Sequence, residues 1–201
     1  QALLVRIERH AAEAEAEKTL VYLGDYVDRG PQSADVIDLI MGGPPDGIGR
    51  QICLLGNHED LMLRALDGKD RFGDWYRNGG RETERSYKGD FARLKRHEQW
   101  LRKRPTFLHE SGFYFVHAGV APGRPLDQQR RVHQLWIRNR FLWSRRNHGA
   151  VIVHGHTVVG KRPIVRRNRI SIDTGAYRTG VLTCAVLHQG VEPEFLQTFV
   201  G

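Results

Sequence analysis

Two glycine-led polar turns, Gly24-Asp25-Tyr26-Val27-Asp28-Arg29-Gly30 and Gly56-Asn57-His58-Glu59, each follow a β-like run, Thr19 to Leu23 and Gln51 to Leu55. This repeated order constrains the fold more than any other feature of the chain, because strand ends of an open α/β sheet are where side chains meet a crevice. Between them the turns offer carboxylate, amide, imidazole and guanidinium. The first three donors suit a metal ion, and the guanidinium suits an oxyanion.

The rest of the chain continues the alternation. Leu3, Leu4, Ile7 and Ala11 share one face of an opening helix. A helix is predicted from Ser33 to Met41, stopped by Gly42-Gly43-Pro44-Pro45, and a shorter one from Asp60 to Leu66. Residues 70–104 change character and read as a helical insertion capping the site, ended by Pro105. Phe113 to Val116 is predicted as a strand delivering His117, followed by a helix from Asp127 to Leu142. Ala150 to Val153 then delivers His154 and His156, and strands are expected at Arg169 to Asp173, Val181 to Leu187 and Glu194 to Val200. Strands alternating with helices predict an α/β architecture, read as a single domain over 1–201.

With 201 residues, 40% of them hydrophobic, the chain is long enough to bury a core. No apolar run approaches the roughly 20 residues that span a bilayer, and the N-terminus lacks a cationic leader, so a soluble cytoplasmic protein is expected, without membrane partners. Cys53 and Cys184 lie in apolar runs and read as buried thiols. The net charge of +8 favours anionic partners, among which phosphoproteins, nucleotides and nucleic acid all qualify. The basic stretch Lys88 to Arg104, with Phe91 and Trp100 interleaved, is better read as an amphipathic helix with a solvated face than as a nucleic-acid surface.

Four strand ends thus present Asp25, Asn57, His117 and His156, a mixed oxygen and nitrogen set fitted to a borderline divalent ion. Seen singly, each has a bland reading: an acidic turn, a helix cap, an ordinary buried histidine. Their joint order argues against all of these together. His154 is expected to pack or to support the ligands, and Asp173 to close a turn.

In this order, Gly24 to Gly30, Gly56 to Glu59, His117-Ala118-Gly119 and His154 to Thr157 resemble the phosphoprotein phosphatase family of binuclear calcineurin-like metallophosphoesterases, bacterial and phage-type branch. Trp75 to Gly80, Leu135 to Arg138 and Ile172 to Ala176 look like further landmarks of that branch. The resemblance implies a sandwich of two mixed β-sheets flanked by helices. It also implies two divalent metal ions, manganese first, with iron and zinc as other fits. Asp25 would bridge them, and Asn57, His117 and His156 would complete the second ion's shell. A metal-bridging hydroxide would attack phosphorus in line. His58 would protonate the leaving alcohol and Asp28 would orient it, while Arg29 and Arg138 would grip the phosphoryl oxygens; Arg145 is a rival for Arg138. The family's opening Gly-Asp-x-His-Gly, which supplies the first metal's ligands, is missing and is expected just upstream of Gln1. The expected reaction is phosphomonoester hydrolysis on phosphoserine or phosphothreonine of a phosphoprotein or phosphopeptide. Dinucleoside tetraphosphate hydrolysis is the alternative, and a non-catalytic phosphate- or nucleic-acid-binding module is the rival from another class.

Overall fold

The computed structural model describes residues 1–13, 17–70 and 72–199 of the chain. Helix α1 (Ala2–Ala12) buries Leu3, Ile7 and Ala11, one side chain per turn. Strand β1 (Thr19–Tyr22) pairs in parallel with β2 (Arg50–Cys53), with α2 (Ser33–Met41) as the crossover. Helix α3 (Asn57–Leu66) follows β2, and α4 (Asp74–Arg77), α5 (Gly80–Ser86) and α6 (Phe91–Leu101) make up the expected helical segment.

A five-stranded mixed sheet comes next, in the order β3-β4-β5-β7-β6. It contains β3 (Phe107–Glu110), β4 (Phe113–Val116), β5 (Val151–His154), β6 (Ile164–Arg166) and β7 (Arg169–Ser171). Strands β4, β5 and β7 run parallel, and the edge strands run against them. Between β4 and β5 lie α7 (Arg131–Trp136) and α8 (Asn139–Leu142). After α9 (Ala176–Thr179), β8 (Val181–Val186) and β9 (Glu194–Phe199) form an antiparallel pair. Helix α1 lies on β8 and β9, and its Leu3 and Ile7 share a cluster with Leu20, Tyr22, Cys184 and Leu196. The two small ladders therefore meet around α1.

Several local expectations change. Helix α3 begins at Asn57 rather than Asp60, so Asn57 and His58 occupy its first turn. The predicted helix from Asp127 to Leu142 is broken: Gln129 and Ile137 are extended, with ψ of 138° and 141°. Tertiary bonds win over helix propensity there. Ala118 N–H donates to Gln134 O at 2.8 Å, and Gln129 Oε1 accepts Ala121 N–H at 2.7 Å. Strand β3 was not foreseen. It is turned back by Ser111-Gly112, both left-handed (φ 52° and 77°), the two-residue hairpin geometry. Strand β6 is a three-residue edge strand too short for a periodic signal. Cys184 is half-buried, whereas Cys53 is buried; both are free thiols. Val200, the expected end of the last strand, and Arg71 in the helical segment lie outside the described residues.

The described residues of 70–104, expected as a cap, contribute to the core. Trp75, Tyr87 and Leu101 belong to the same buried cluster as Ala34, Ile37, Leu55 and Met62, so this segment shares the core of α2 and α3. Phe91, by contrast, is exposed at the start of α6. Asp38 of α2 ties the segment electrostatically, accepting from Arg93 Nε at 2.6 Å, Arg96 Nη2 at 2.7 Å and His97 Nε2 at 2.9 Å. Partial burial pushes the Asp38 carboxyl up, but the bonds from His97, Arg96 and Arg93 outweigh it and hold it well below the usual range. An unfolded aspartate titrates near about 3.9, so this stabilisation is complete above that pH and is lost as the pH falls toward the lower folded value. Asp38→Asn is therefore expected to lower Tm at neutral pH, with the gap to the parent closing in acid. A gap in calorimetric Tm that ignores pH would remove the charge from the account.

Candidate metal centre and active site

The two glycine-led turns interlock. A Cβ on Gly24 would lie 2.5 Å from Gly56 N, and one on Gly56 would lie 2.5 Å from both Asp25 N and Asp25 Oδ1. Glycine at both positions is what lets the loops after β1 and β2 touch. Glu59, fully buried, ties them: its carboxylate accepts N–H bonds from Gly56 (2.8 Å), Asp25 (2.9 Å), Tyr26 (2.6 Å) and Val27 (3.3 Å). Burial and the Asp25 charge push the Glu59 carboxyl up to about 7, against the pull of those N–H groups.

Asp25 is thereby set beside Asn57, His117 and His156, which arrive from α3, the end of β4 and the turn after β5. Asn57 Oδ1 lies 2.8 Å from His117 Nε2 and 2.8 Å from His156 Nδ1. His117 Nε2 lies 3.3 Å from Asp25 Oδ1 and 3.3 Å from His156 Nδ1. His117 Nδ1 donates to Leu23 O at 2.8 Å, so in the neutral ring, the form that ligates a metal, the proton is there and Nε2 presents a bare lone pair. Asp25 Oδ1, Asn57 Oδ1, His117 Nε2 and His156 Nδ1 therefore share at most one hydrogen among four converging acceptor atoms. Such crowding of lone pairs in a buried place is costly without a cation, and the donor set fits a divalent ion.

The electrostatics agree. Burial, with the neighbouring His117 and Arg138, lowers His156 to about 3, keeping it as the neutral imidazole a metal requires. Burial raises the Asp25 carboxyl, yet the surrounding His117, His58 and His156, with the His58 N–H, outweigh it and hold it low. Asp25 and His156 both adopt left-handed backbone (φ 61° and 62°), a conformation that persists in non-glycine residues where surrounding contacts impose it. The Trp136 ring meets His156 edge-on, with centroids 6.1 Å apart.

Beside this cluster, His58 Nδ1 is 2.6 Å from Asp28 Oδ2, both side chains buried. Burial lowers the His58 pKa, but the Asp28 hydrogen bond and the Asp25 and Asp28 charges raise it above its ordinary value. Arg29 Nη2 donates to His58 Nε2 at 2.9 Å, and its guanidinium lies 4.3 Å from the centre of the half-exposed Tyr177 ring. Arg138 is exposed at the start of α8, near enough to depress His156.

Arg145 is elsewhere. It lines a cavity of about 440 Å³ with Gly112, Asn147, Arg167 and Asn168, at the starting ends of β4, β5 and β7, opposite the edge that carries His117 and His156. His154 packs in the sheet, its Nε2 2.7 Å from Ser171 Oγ, with burial lowering it to about 4. Asp173 Oδ1 accepts the Gly175 N–H at 2.9 Å, closing a turn as expected.

The sequence model of the family described as Calcineurin-like phosphoesterase matches residues 1–181. The chain belongs to this family. Its members are metallophosphoesterases, enzymes that bind divalent metals, which agrees with the four-donor cluster. This phosphoesterase is 32% identical over 113 residues to a symmetrical bis(5'-nucleosyl)-tetraphosphatase of Methylococcus capsulatus, covering 53% of this chain and 34% of that protein. It is 28% identical over 187 residues to the asymmetrical bis(5'-nucleosyl)-tetraphosphatase PrpE of Bacillus velezensis, covering 83% of this chain and 73% of that one. The match thus spans about a third of the first relative's length and about three quarters of the second's. Among solved structures, one provisionally named a diadenosine tetraphosphatase superposes with a TM-score of 0.69 at 20% identity, covering 100% of this chain and 89% of that one. A protein serine/threonine phosphatase from Saccharomyces cerevisiae superposes with a TM-score of 0.59 at 15% identity, covering 100% and 76%. These likenesses establish the fold. The curated relatives carry the activity expected as the alternative, ahead of protein phosphatase.

The α/β arrangement of sheets flanked by helices agrees with the fold expected of this phosphoesterase, though the hydrogen-bonded sheets number three among the described residues, and of these the five-stranded one is mixed. Among these residues no helix is long and apolar enough to cross a membrane. Sequence reasoning missed the part played by Glu59, although a Glu three residues after a helix cap, the half of a capping box that reaches back to the cap N–H, is the signal that could have found it. Trp136 lay within a quoted landmark, but no spacing rule points its ring at His156.

Proposed function

We propose that this phosphoesterase hydrolyses dinucleoside tetraphosphates, and that its machinery lies at the ends of β1, β2, β4 and β5 in the manner of the phosphoprotein phosphatase branch. The substrate choice rests on the 28% identity to PrpE over 83% of the chain. The arginines at the site and the net charge of +8 suit a polyphosphate. Asp25, Asn57, His117 and His156 would hold a divalent ion, manganese in our reading. Bound divalent ions supply neutralisation of phosphoryl charge and a water of lowered pKa.

The side chains do the rest. Arg138 and Arg29 offer planar forks for non-bridging phosphoryl oxygens. Arg29 can only donate, so while it holds His58 Nε2 that nitrogen carries no proton, and the ring's N–H faces Asp28. When Arg29 turns to a phosphoryl oxygen, His58 Nε2 is freed to take up a proton from solvent water and pass it to the leaving oxygen. Asp28 stabilises the imidazolium that forms.

Product analysis tests the substrate. Manganese-loaded protein is expected to release nucleotides from diadenosine tetraphosphate at a kcat/KM well above that for a phosphoserine peptide. Preference for the phosphopeptide would restore the protein-phosphatase reading, and tight binding of both without turnover would favour the non-catalytic module.

A further inference from the structure

Asp28 and Arg29 are consecutive non-glycine residues in left-handed backbone (φ 76° and 65°), and the contacts that hold them there come largely from the helical segment 70–104. Asp28 N–H donates to Thr83 Oγ1 at 2.8 Å, and Arg29 N–H donates to Gly79 O at 3.2 Å. Asp28 Oδ1 accepts from Trp75 Nε1 at 3.0 Å and from Thr83 Oγ1 at 2.7 Å, leaving Oδ2 for His58. Thr83 is fully buried and Trp75 nearly so. The fit admits nothing larger. A Cβ on Gly79, itself left-handed, would lie 2.8 Å from Arg29 N, and one on Gly80 would lie 2.6 Å from the Trp75 ring.

We propose that Trp75 and Thr83 are positioning residues: by donating two hydrogen bonds to Asp28 Oδ1 they stop its carboxylate from turning, so that Oδ2 fixes His58 with Nε2 toward the leaving group. The helical segment is then a working part of the proton-transfer apparatus, reaching it across the core. A carboxylate held by one donor can rotate and still be satisfied. One held by two donors on one oxygen and an imidazole on the other has a single arrangement.

The proposal rests on the reading of His58 as proton donor, and the test separates the two. Trp75→Phe keeps an aromatic ring and removes the indole N–H; Thr83→Val keeps the shape and removes the hydroxyl; Thr83→Ser keeps the hydroxyl. In the manganese-loaded full chain, the first two are expected to lower kcat for an alkyl phosphate roughly ten- to hundredfold, as loss of an outer partner does. KM and turnover of 4-nitrophenyl phosphate should change far less, and Thr83→Ser should stay near the parent. In the metal-free protein, the downfield proton resonance of the short His58–Asp28 bond should shift or broaden in Trp75→Phe and Thr83→Val, but not in Thr83→Ser. Equal losses on both phosphates with an unaltered resonance would reduce Trp75 and Thr83 to core packing and overturn the proposal. If His58→Asn shows no leaving-group dependence, the proton-donor reading fails, and with it this role for Trp75 and Thr83, even where the resonance still responds.

Discussion

Asp25→Asn is expected to lower both the manganese content of the purified protein and its turnover of every phosphate ester, the latter by at least about a hundredfold. That exceeds the ten- to hundredfold cost of losing an outer partner, because a charged donor to the ion itself is lost. The substitution is nearly isosteric, so Oδ1 can still accept the His58 N–H and the loop between β1 and α2 should keep its shape. Elemental analysis and steady-state rates on one preparation check it, with a melting curve as the folding control. Unchanged metal content in an inactive variant would take Asp25 out of the metal centre and leave it a purely electrostatic role. The prediction follows from the count of hydrogens: four acceptor atoms meet with at most one proton between them, and the single negative charge among them is Asp25.

His58→Asn should separate substrates by leaving group. General acid catalysis is worth about 10²–10⁴-fold, so an alkyl phosphate, which leaves as a strong base, should lose that much. An aryl phosphate, or a dinucleoside tetraphosphate whose leaving group is a stabilised phosphate anion, should lose far less. The comparison therefore bears on substrate as well as mechanism: a physiological substrate of the anhydride type makes small demands on His58. Equal losses across all three would show that His58 acts through position or charge rather than by proton transfer.

Much of the candidate site was legible along the chain because its converging donor residues follow strand ends. Asp25, Asn57, His117 and His156 each stand just after an apolar run, and a parallel arrangement of those runs carries them to one edge. The ambiguity between Arg138 and Arg145 could not be broken that way. Both follow tryptophan in an arginine-rich stretch, and only the path of α8 and the loop after it sends Arg145 to the far end of the strands. Trp75 and Thr83 were beyond reach for a related reason, since their contact with Asp28 spans 47 and 55 residues and obeys no local period. Hairpin β3–β4 was hidden because a two-residue left-handed turn leaves almost no loop for the sequence to announce.

What the sequence by itself determined is the chemistry on offer and the order in which it is presented: strand, glycine, ligand, repeated. Backbone preference and apolar periodicity act over a few residues, and these motifs are local enough to be written in them. What the tertiary structure alone decided is which atoms share a proton and which groups are held still. His117 gives its N–H to Leu23, Arg29 turns to His58, and the helical segment closes on Asp28. Each of these depends on distances set by core packing between elements far apart in the chain. A hydrogen bond is made or lost over a few tenths of an ångström, which no local pattern specifies.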